Sequence, residues 1–322
     1  MSNLLLRWSI GSQDTTILRD YVARQRYRDF LWLAKLSISS FQRWLPDARF
    51  VLFYNGSDFE GFKQTFLSLE PALRGELEFV NQPAAMLAGQ PNPYAFYPLG
   101  VWWKWIPFRY DTDYHEISVD TDIICWNEPK EFIEWAEGEK PIVIAAERFP
   151  TISKSTCGDF AGHPILKGKR PLNCGVVGMQ AGHDYSGRFY EVANEIQYGQ
   201  THDSMFITEQ GAINVWSYSL ELEGVETHVL DFARHCWVRD FLFFLDKGYR
   251  IETVHATSWH KQVLVQLHDL VTRRVFNETY GDSDFVRDAL ERAKALDVDA
   301  RDVLLRQISG RDEVSLEKYF VG

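Results

Sequence analysis

The sequence predicts an α/β fold, with a mainly parallel central sheet flanked by helices and a helical C-terminal appendage. Three observations predict it. From residue 4 to residue 80, short apolar strand-type runs alternate with segments whose apolar residues recur every three or four positions. Strand, helix, strand, helix, strand in that order implies parallel pairing with right-handed crossovers. After Lys261 the texture becomes helical, so the chain divides into residues 1–262 and a helical appendage at 263–322.

Taken in order, Leu4 to Ile10 is the first strand and ends at Gly11-Ser12, a turn that lets a ligand or another backbone approach. From about Tyr27, the series Phe30, Leu33, Ser37/Ile38, Phe41 and Trp44/Leu45 has helical spacing, and Pro46 ends it. Arg49 to Tyr54 is a buried strand, Phe59 to Leu69 a helix and Leu77 to Val80 a short strand. Residues 81–98 carry four prolines and read as an irregular, ordered loop, and 99–110 (LGVWWKWIPFRY) as an aromatic helix holding one lysine, Lys104. His115 to Trp126 is a strand, Pro129 to Trp135 a helix and Pro141 to Ala146 a strand. A polar connection at 148–171 leads to the strand Leu172 to Met179, whose glycines admit close packing against its backbone. Helices follow at Ser186 to Tyr198 and Glu209 to Tyr218, then strands at Thr227 to Phe232 and Ile251 to His255. The tail holds helices at Val263 to Phe276, Phe285 to Ala295 and Val303 to Ile308.

With 322 residues, 45% of them hydrophobic, the chain can bury a large core. Its net charge of −11 makes it a poor partner for nucleic acid or an anionic membrane, and neither is expected. The N-terminal apolar run is too short for a signal peptide, and no stretch reaches transmembrane length. The four cysteines form no CxxC pair and read as reduced core thiols, consistent with an expected cytoplasmic location.

The chemistry concentrates in HEISVDTDIICW. At spacing i and i+2 on a strand, Asp120 and Asp122 point to one side, and two acids flanked by Val119 and Ile123 are costly to bury bare. They ask for a divalent cation. A second DTD, Asp111 to Asp113, lies in a polar turn where aspartate commonly serves the backbone. The strand-end pair is the better metal site, because open α/β sheets bind ligands beyond their carboxyl ends. His255, ending a late strand, is the candidate third ligand. An imidazole tilts the preference from Mg²⁺ towards Mn²⁺. Lys261 is placed to meet a diphosphate as a point charge. Asn173 heads its strand beside a glycine, suited to bond a ligand hydroxyl. In TEQGAIN, Thr208 can cap a helix with Glu209 and Gln210 in its first turn. Gly162 to Lys169 lacks phosphate-loop spacing, and neither GxGxxG nor HExxH occurs.

In this order, WWKWIPF, SVDTDI, LNCGVVGM, TEQGAIN and HATSWHK resemble the motifs of GT-A fold glycosyltransferases. The nearest likeness is the glycosyltransferase family 8 type, the glycogenin and bacterial galactosyltransferase group, over residues 1–262. The resemblance implies a Rossmann-like nucleotide-sugar fold. Metal ligands would fall on Asp120, Asp122 and His255, and donor contacts on Asp120, Lys104, Asn173 and Lys261. Gly11, at the turn after the first strand, is a further donor contact expected from that turn, although the strand lacks the family's acidic run. The catalytic segment would fall on Gln210 and Glu209. Ser258 replaces the family's glycine in HxxGxxK, and Gly211 replaces the last acid of DQD.

The expected function is therefore a metal-dependent (Mn²⁺ or Mg²⁺) transfer of a hexose from a nucleotide sugar, UDP-glucose or UDP-galactose, with retention. The acceptor is open among glycan, protein, lipid and small molecule, and the C-terminal helices offer a homo-oligomer contact. The alternatives are a nucleotidyltransferase of similar fold, releasing pyrophosphate, or a non-catalytic sugar-nucleotide or glycan-binding protein.

Overall fold

Strands apolar on both faces are stable only between two covering layers, and the runs LLLRWSI and RFVLFY are of that kind. The computed structural model describes residues 3–10, 21–56, 58–82, 104–195, 205–256, 267–277 and 279–293, with 21–29, 205–208 and 293 described through the backbone alone. Its strands are β1 (Leu4–Ile10), β2 (Arg49–Tyr54), β3 (Glu78–Asn81), β4 (His115–Val119), β5 (Ile123–Cys125), β6 (Ile142–Ala146), β7 (Leu172–Met179), β8 (Thr227–Leu230), β9 (His235–Trp237) and β10 (Thr253–His255). Seven form one sheet in the order β3-β2-β1-β4-β7-β6-β8. Only β7 runs against its neighbours, antiparallel to β4 and to β6, while every other pair in the sheet is parallel. A second sheet, β5-β10-β9, stands beside it.

The helices are α1 (Tyr21–Trp44), α2 (Phe59–Ser68), α3 (Lys130–Glu137), α4 (Lys154–Cys157), α5 (Ser186–Asn194), α6 (Met205–Leu222), α7 (Val238–Asp246), α8 (His268–Phe276) and α9 (Asp282–Ala293). One face of the large sheet packs Leu6, Trp8 and Leu52 against Ile38 and Phe41 of α1. On the other side, Ile144 and Val177 meet Ala212 and Trp216 of α6. The small sheet has its own core with α7, α8 and α9. Its seam is polar as well as apolar. Trp126 donates to Asp282 at 2.7 Å, and Arg274 reaches both Asp282 at 3.1 Å and Asn127 at 2.7 Å. The C-terminal helices are thus fastened directly beneath the strand that follows the DTD.

Three expectations change. The strand expected to run unbroken from His115 to Trp126 is two strands in two sheets, with Asp120-Thr121-Asp122 in a turn between them. The aromatic helix at 99–110 does not form over its described part. Lys104 and Trp105 occupy a single 3-10 turn, and Pro107, which has no N–H to give and restricts Ile106, prevents continuation. Helix α6 begins at Met205, so Thr208 is not its cap, and Glu209 and Gln210 lie in its second turn. Strand β9 and helix α7 were not read from the sequence, because HCW is too short to show a period. The helix expected at 303–308 lies outside the described residues.

Because Arg274 is buried and its loss removes the donor to Asn127 Oδ1 and one of two donors to Asp282, Arg274→Ala is expected to cost about 1–3 kcal/mol. A urea denaturation midpoint checks this, and an unchanged midpoint would show that the seam does not hold the tail.

Candidate metal centre

The turn after β4 is built by three backbone bonds. Asp120 N–H donates to the Gly175 carbonyl of β7 at 2.8 Å, which carries the ladder one residue past the strand. Ile123 N–H closes onto the Asp120 carbonyl at 3.1 Å, and Ala256 N–H donates to the Asp122 carbonyl at 2.8 Å. The last bond brings β10 alongside, with His255 opposite Ile123. The His255 Nε2 atom lies 3.4 Å from Asp122 Oδ1 and 3.7 Å from Asp120 Oδ2. One ligand atom from each of the three residues falls within 4.8 Å of the others.

Gly175 is what lets the histidine in. A Cβ there would stand 2.8 Å from the His255 Cε1 atom and 2.9 Å from Asn173 Oδ1. Burial alone would lower the His255 pKa, but Asp122 and then Asp120 outweigh it and raise it. A metal requires the neutral ring, so binding releases a proton. Two carboxylate oxygens and one imidazole nitrogen suit a divalent cation of the Mn²⁺ or Mg²⁺ type, and leave half of its octahedron open.

Behind the triad Lys104 is buried, and its ammonium reaches Asp120 Oδ1 at 2.7 Å, Glu209 Oε1 at 2.8 Å and the Cys174 carbonyl at 3.2 Å. Burial disfavours its charge, yet Asp120, Cys174 and Glu209 together hold the pKa well above the ordinary value. With three donors occupied, Lys104 orients Asp120 from behind. Glu209, also bonded by Trp105 Nε1 at 2.6 Å, is pushed up to about 7 by burial, against the pull of Lys104.

Sequence reasoning missed the hub of the site. Glu147, at the end of β6, is buried and accepts from Asn173 Nδ2 and from Gln210 Nε2, both at 2.9 Å on Oε2. Burial raises its pKa, against the amide hydrogen bonds. The second Gln210 N–H goes to the Thr156 carbonyl at 2.8 Å. Two acceptors on one nitrogen fix the amide orientation, so Gln210 Oε1 lies on the side of Asn173 Nδ2, at 3.3 Å, and Cys174 Sγ, at 3.8 Å. An acid closing the apolar run PIVIAA was the available signal.

Asn173 also caps its own strand, its Oδ1 accepting Gly175 N–H at 2.8 Å. Gly211, standing where the resemblance expects an acid, faces α4: a Cβ there would lie 2.1 Å from the Cys157 carbonyl. The position is closed by packing. The other DTD is structural, with Asp111 accepting from Arg49 at 2.7 Å and from the Asp113 N–H at 3.0 Å. Gly11, Lys261 and Ser258 lie outside the described residues.

No protein-family model matches the chain, and no curated protein matches it. Solved structures do. The bifunctional glycosyltransferase WbbM superposes with a TM-score of 0.53 at 11% identity, over 90% of this chain and 52% of that one. This chain therefore spans about half of WbbM. Mouse xyloside xylosyltransferase 1 gives 0.47 at 13% identity, covering 79% of this chain and 98% of that one. The galactosyltransferase LgtC gives 0.45 at 13%, covering 93% and 100%. The chain has the GT-A fold: an α/β sheet, mostly parallel, flanked by helices and followed by a C-terminal helical region. Among the described residues no helix is long and apolar enough to cross a membrane.

Two outcomes follow. Gly175→Ala displaces the His255 ring without removing a ligand, and is expected to weaken Mn²⁺ binding about 10–100-fold. Calorimetric titration measures this, and unchanged affinity would remove His255 from the site. Glu209 is raised from 4.5 to about 7, so folding takes up a proton between those values. Its contribution is full below pH 4.5 and lost as pH rises through 7, by up to about 3 kcal/mol. In urea series with EDTA between pH 5 and 8, Glu209→Gln should flatten the decline seen in the wild type. Parallel profiles would contradict the raised pKa.

Proposed function

We propose that the protein is a metal-dependent glycosyltransferase that moves a hexose from a nucleotide sugar, UDP-glucose or UDP-galactose, with retention of anomeric configuration. The observation that carries this is the convergence of Asp120, Asp122 and His255 at the carboxyl edge of β4 in a GT-A fold.

In this reading Asp120, Asp122 and His255 hold a Mn²⁺ or Mg²⁺ ion, which when bound would offset charge on the donor diphosphate. Lys104 keeps Asp120 turned towards that site and adds a fixed positive charge behind it, where the leaving group's charge develops. Lys261 supplies a second cation to the diphosphate, and Gly11 leaves room for the nucleotide. Asn173 lines the sugar. Gln210, its nitrogen held by Glu147 and Thr156, presents an oxygen to the anomeric carbon. An amide oxygen is too weak a nucleophile to favour a covalent intermediate, so same-face attack assisted by the departing diphosphate is the route. Glu209, raised to about 7, is poised to exchange a proton near neutral pH.

The test is nucleoside diphosphate release from a panel of nucleotide sugars with Mn²⁺. One donor is expected to turn over, with Asp120→Ala/Asp122→Ala at least about 1,000-fold slower, the loss of about 4 kcal/mol of transition-state stabilisation. Turnover that survives the double substitution would sink the metal assignment. Pyrophosphate release from a nucleoside triphosphate would replace the reading with a nucleotidyltransferase.

A further inference from the structure

Beside the metal triad lies an aromatic surface that the chemistry above does not use. Strand β9 runs parallel to β10 with Trp237 registered directly against His255. The two rings meet edge to face, their centroids 6.5 Å apart at 78°. Trp237 in turn receives Phe149 edge to face, at 5.6 Å and 82°. Phe149 is 39% exposed. Large apolar side chains exposed among the described residues also include Leu67, Leu222, Val229 and Tyr249. Of these five, Phe149 alone stands two residues from Glu147, the group that fixes Asn173 and Gln210.

This exposed ring is held firmly. The N–H groups of Arg148 and Phe149 both point at Glu147 Oε1, at 2.7 and 3.4 Å. The Arg148 guanidinium lies 5.6 Å from the Phe149 centroid. It is itself locked by a buried fork onto Asp240 in the first turn of α7, at 2.7 and 3.1 Å. A fixed, half-open apolar ring costs hydration without adding core, and rigid aromatic groups of this kind bind ligands with little loss of entropy. The rings bridge the two polar ends of the site, His255 on one side and Glu147 on the other.

We propose that the exposed ring of Phe149, braced by the perpendicular ring of Trp237, forms the acceptor platform, and that the acceptor is a carbohydrate whose pyranose ring lays its C–H face on Phe149. This rests on the transferase reading above. A pyranose has an apolar face of axial C–H groups and a polar rim of hydroxyls. The exposed Phe149 ring matches the apolar face, and it stands within one ring of His255 and two residues of Glu147. Phe149 opens to solvent, as a site for a second substrate must, whereas Asn173, assigned to the donor sugar, is buried.

The experiment is saturation-transfer NMR on the full chain with UDP and Mn²⁺, using lactose, maltose, cellobiose and methyl β-xyloside as probes. At least one sugar should receive saturation at its ring C–H protons. Phe149→Ala should weaken its binding about tenfold, the scale of one aromatic stacking contact. Phe149→Tyr keeps the face and should restore binding, while Phe149→Leu keeps the bulk and should not. Binding of no sugar, or equal binding by wild type, Phe149→Ala and Phe149→Leu, overturns the platform. Donor turnover measured in the same samples keeps the two readings apart. Nucleoside diphosphate release with no sugar bound sinks the platform alone, and sugar binding sensitive to Phe149 with no release from any donor sinks the transferase reading alone.

Discussion

Four carboxylates, Asp120, Asp122, Glu209 and Glu147, gather around one short turn, and the site depends on how their charge is balanced. Two of them about 4 Å apart would repel by roughly 4 kcal/mol at an effective dielectric near 20. The chain meets this in three ways. Lys104 lies between Asp120 and Glu209. Two side-chain amides, Asn173 and Gln210, converge on Glu147. Third, the Asp120 and Asp122 oxygens face the His255 imidazole, whose pKa they raise. A divalent cation is the group that would complete the balance.

The fold serves this arrangement by joining two sheets at one turn. β4 belongs to the large sheet and β5 to the small one, so the three residues between them are pinned from both sides. Asp120 is tied to β7 and Asp122 to β10. The reversed strand β7 supplies Gly175, where the missing side chain makes room for His255. The small sheet is steadied by α7, α8 and α9, and the Trp126–Asp282–Arg274 contacts reach to within a few residues of the Asp120–Asp122 turn.

Much of this could be read from residue types, and the failures have physical causes. The parallel layers were legible because buried strands such as RFVLFY and amphipathic helices such as α1 follow their own periods. The pair Asp120 and Asp122 was legible because acids beside strand apolar residues need a partner, and His255 because it ends a late strand at the place the resemblance gives a histidine. What the sequence could not show is that DTD is a turn. A run of β-type residues looks the same whether it stays in one sheet or crosses into another. The start of α6 was hidden because Thr208 is a plausible cap and the residues before it carry no contrary signal. Glu147 escaped because its partners Asn173 and Gln210 are far away in sequence, and Lys104 was credited with a helix that Pro107 does not permit.

The central claim is that the turn between β4 and β5 holds a divalent cation together with His255. Anomalous scattering from crystals grown with Mn²⁺ and UDP tests it most directly. A single peak about 2.2 Å from Asp120, Asp122 and His255 Nε2 is the predicted result. A peak elsewhere, with the His255 ring still facing the two carboxylates, would contradict it.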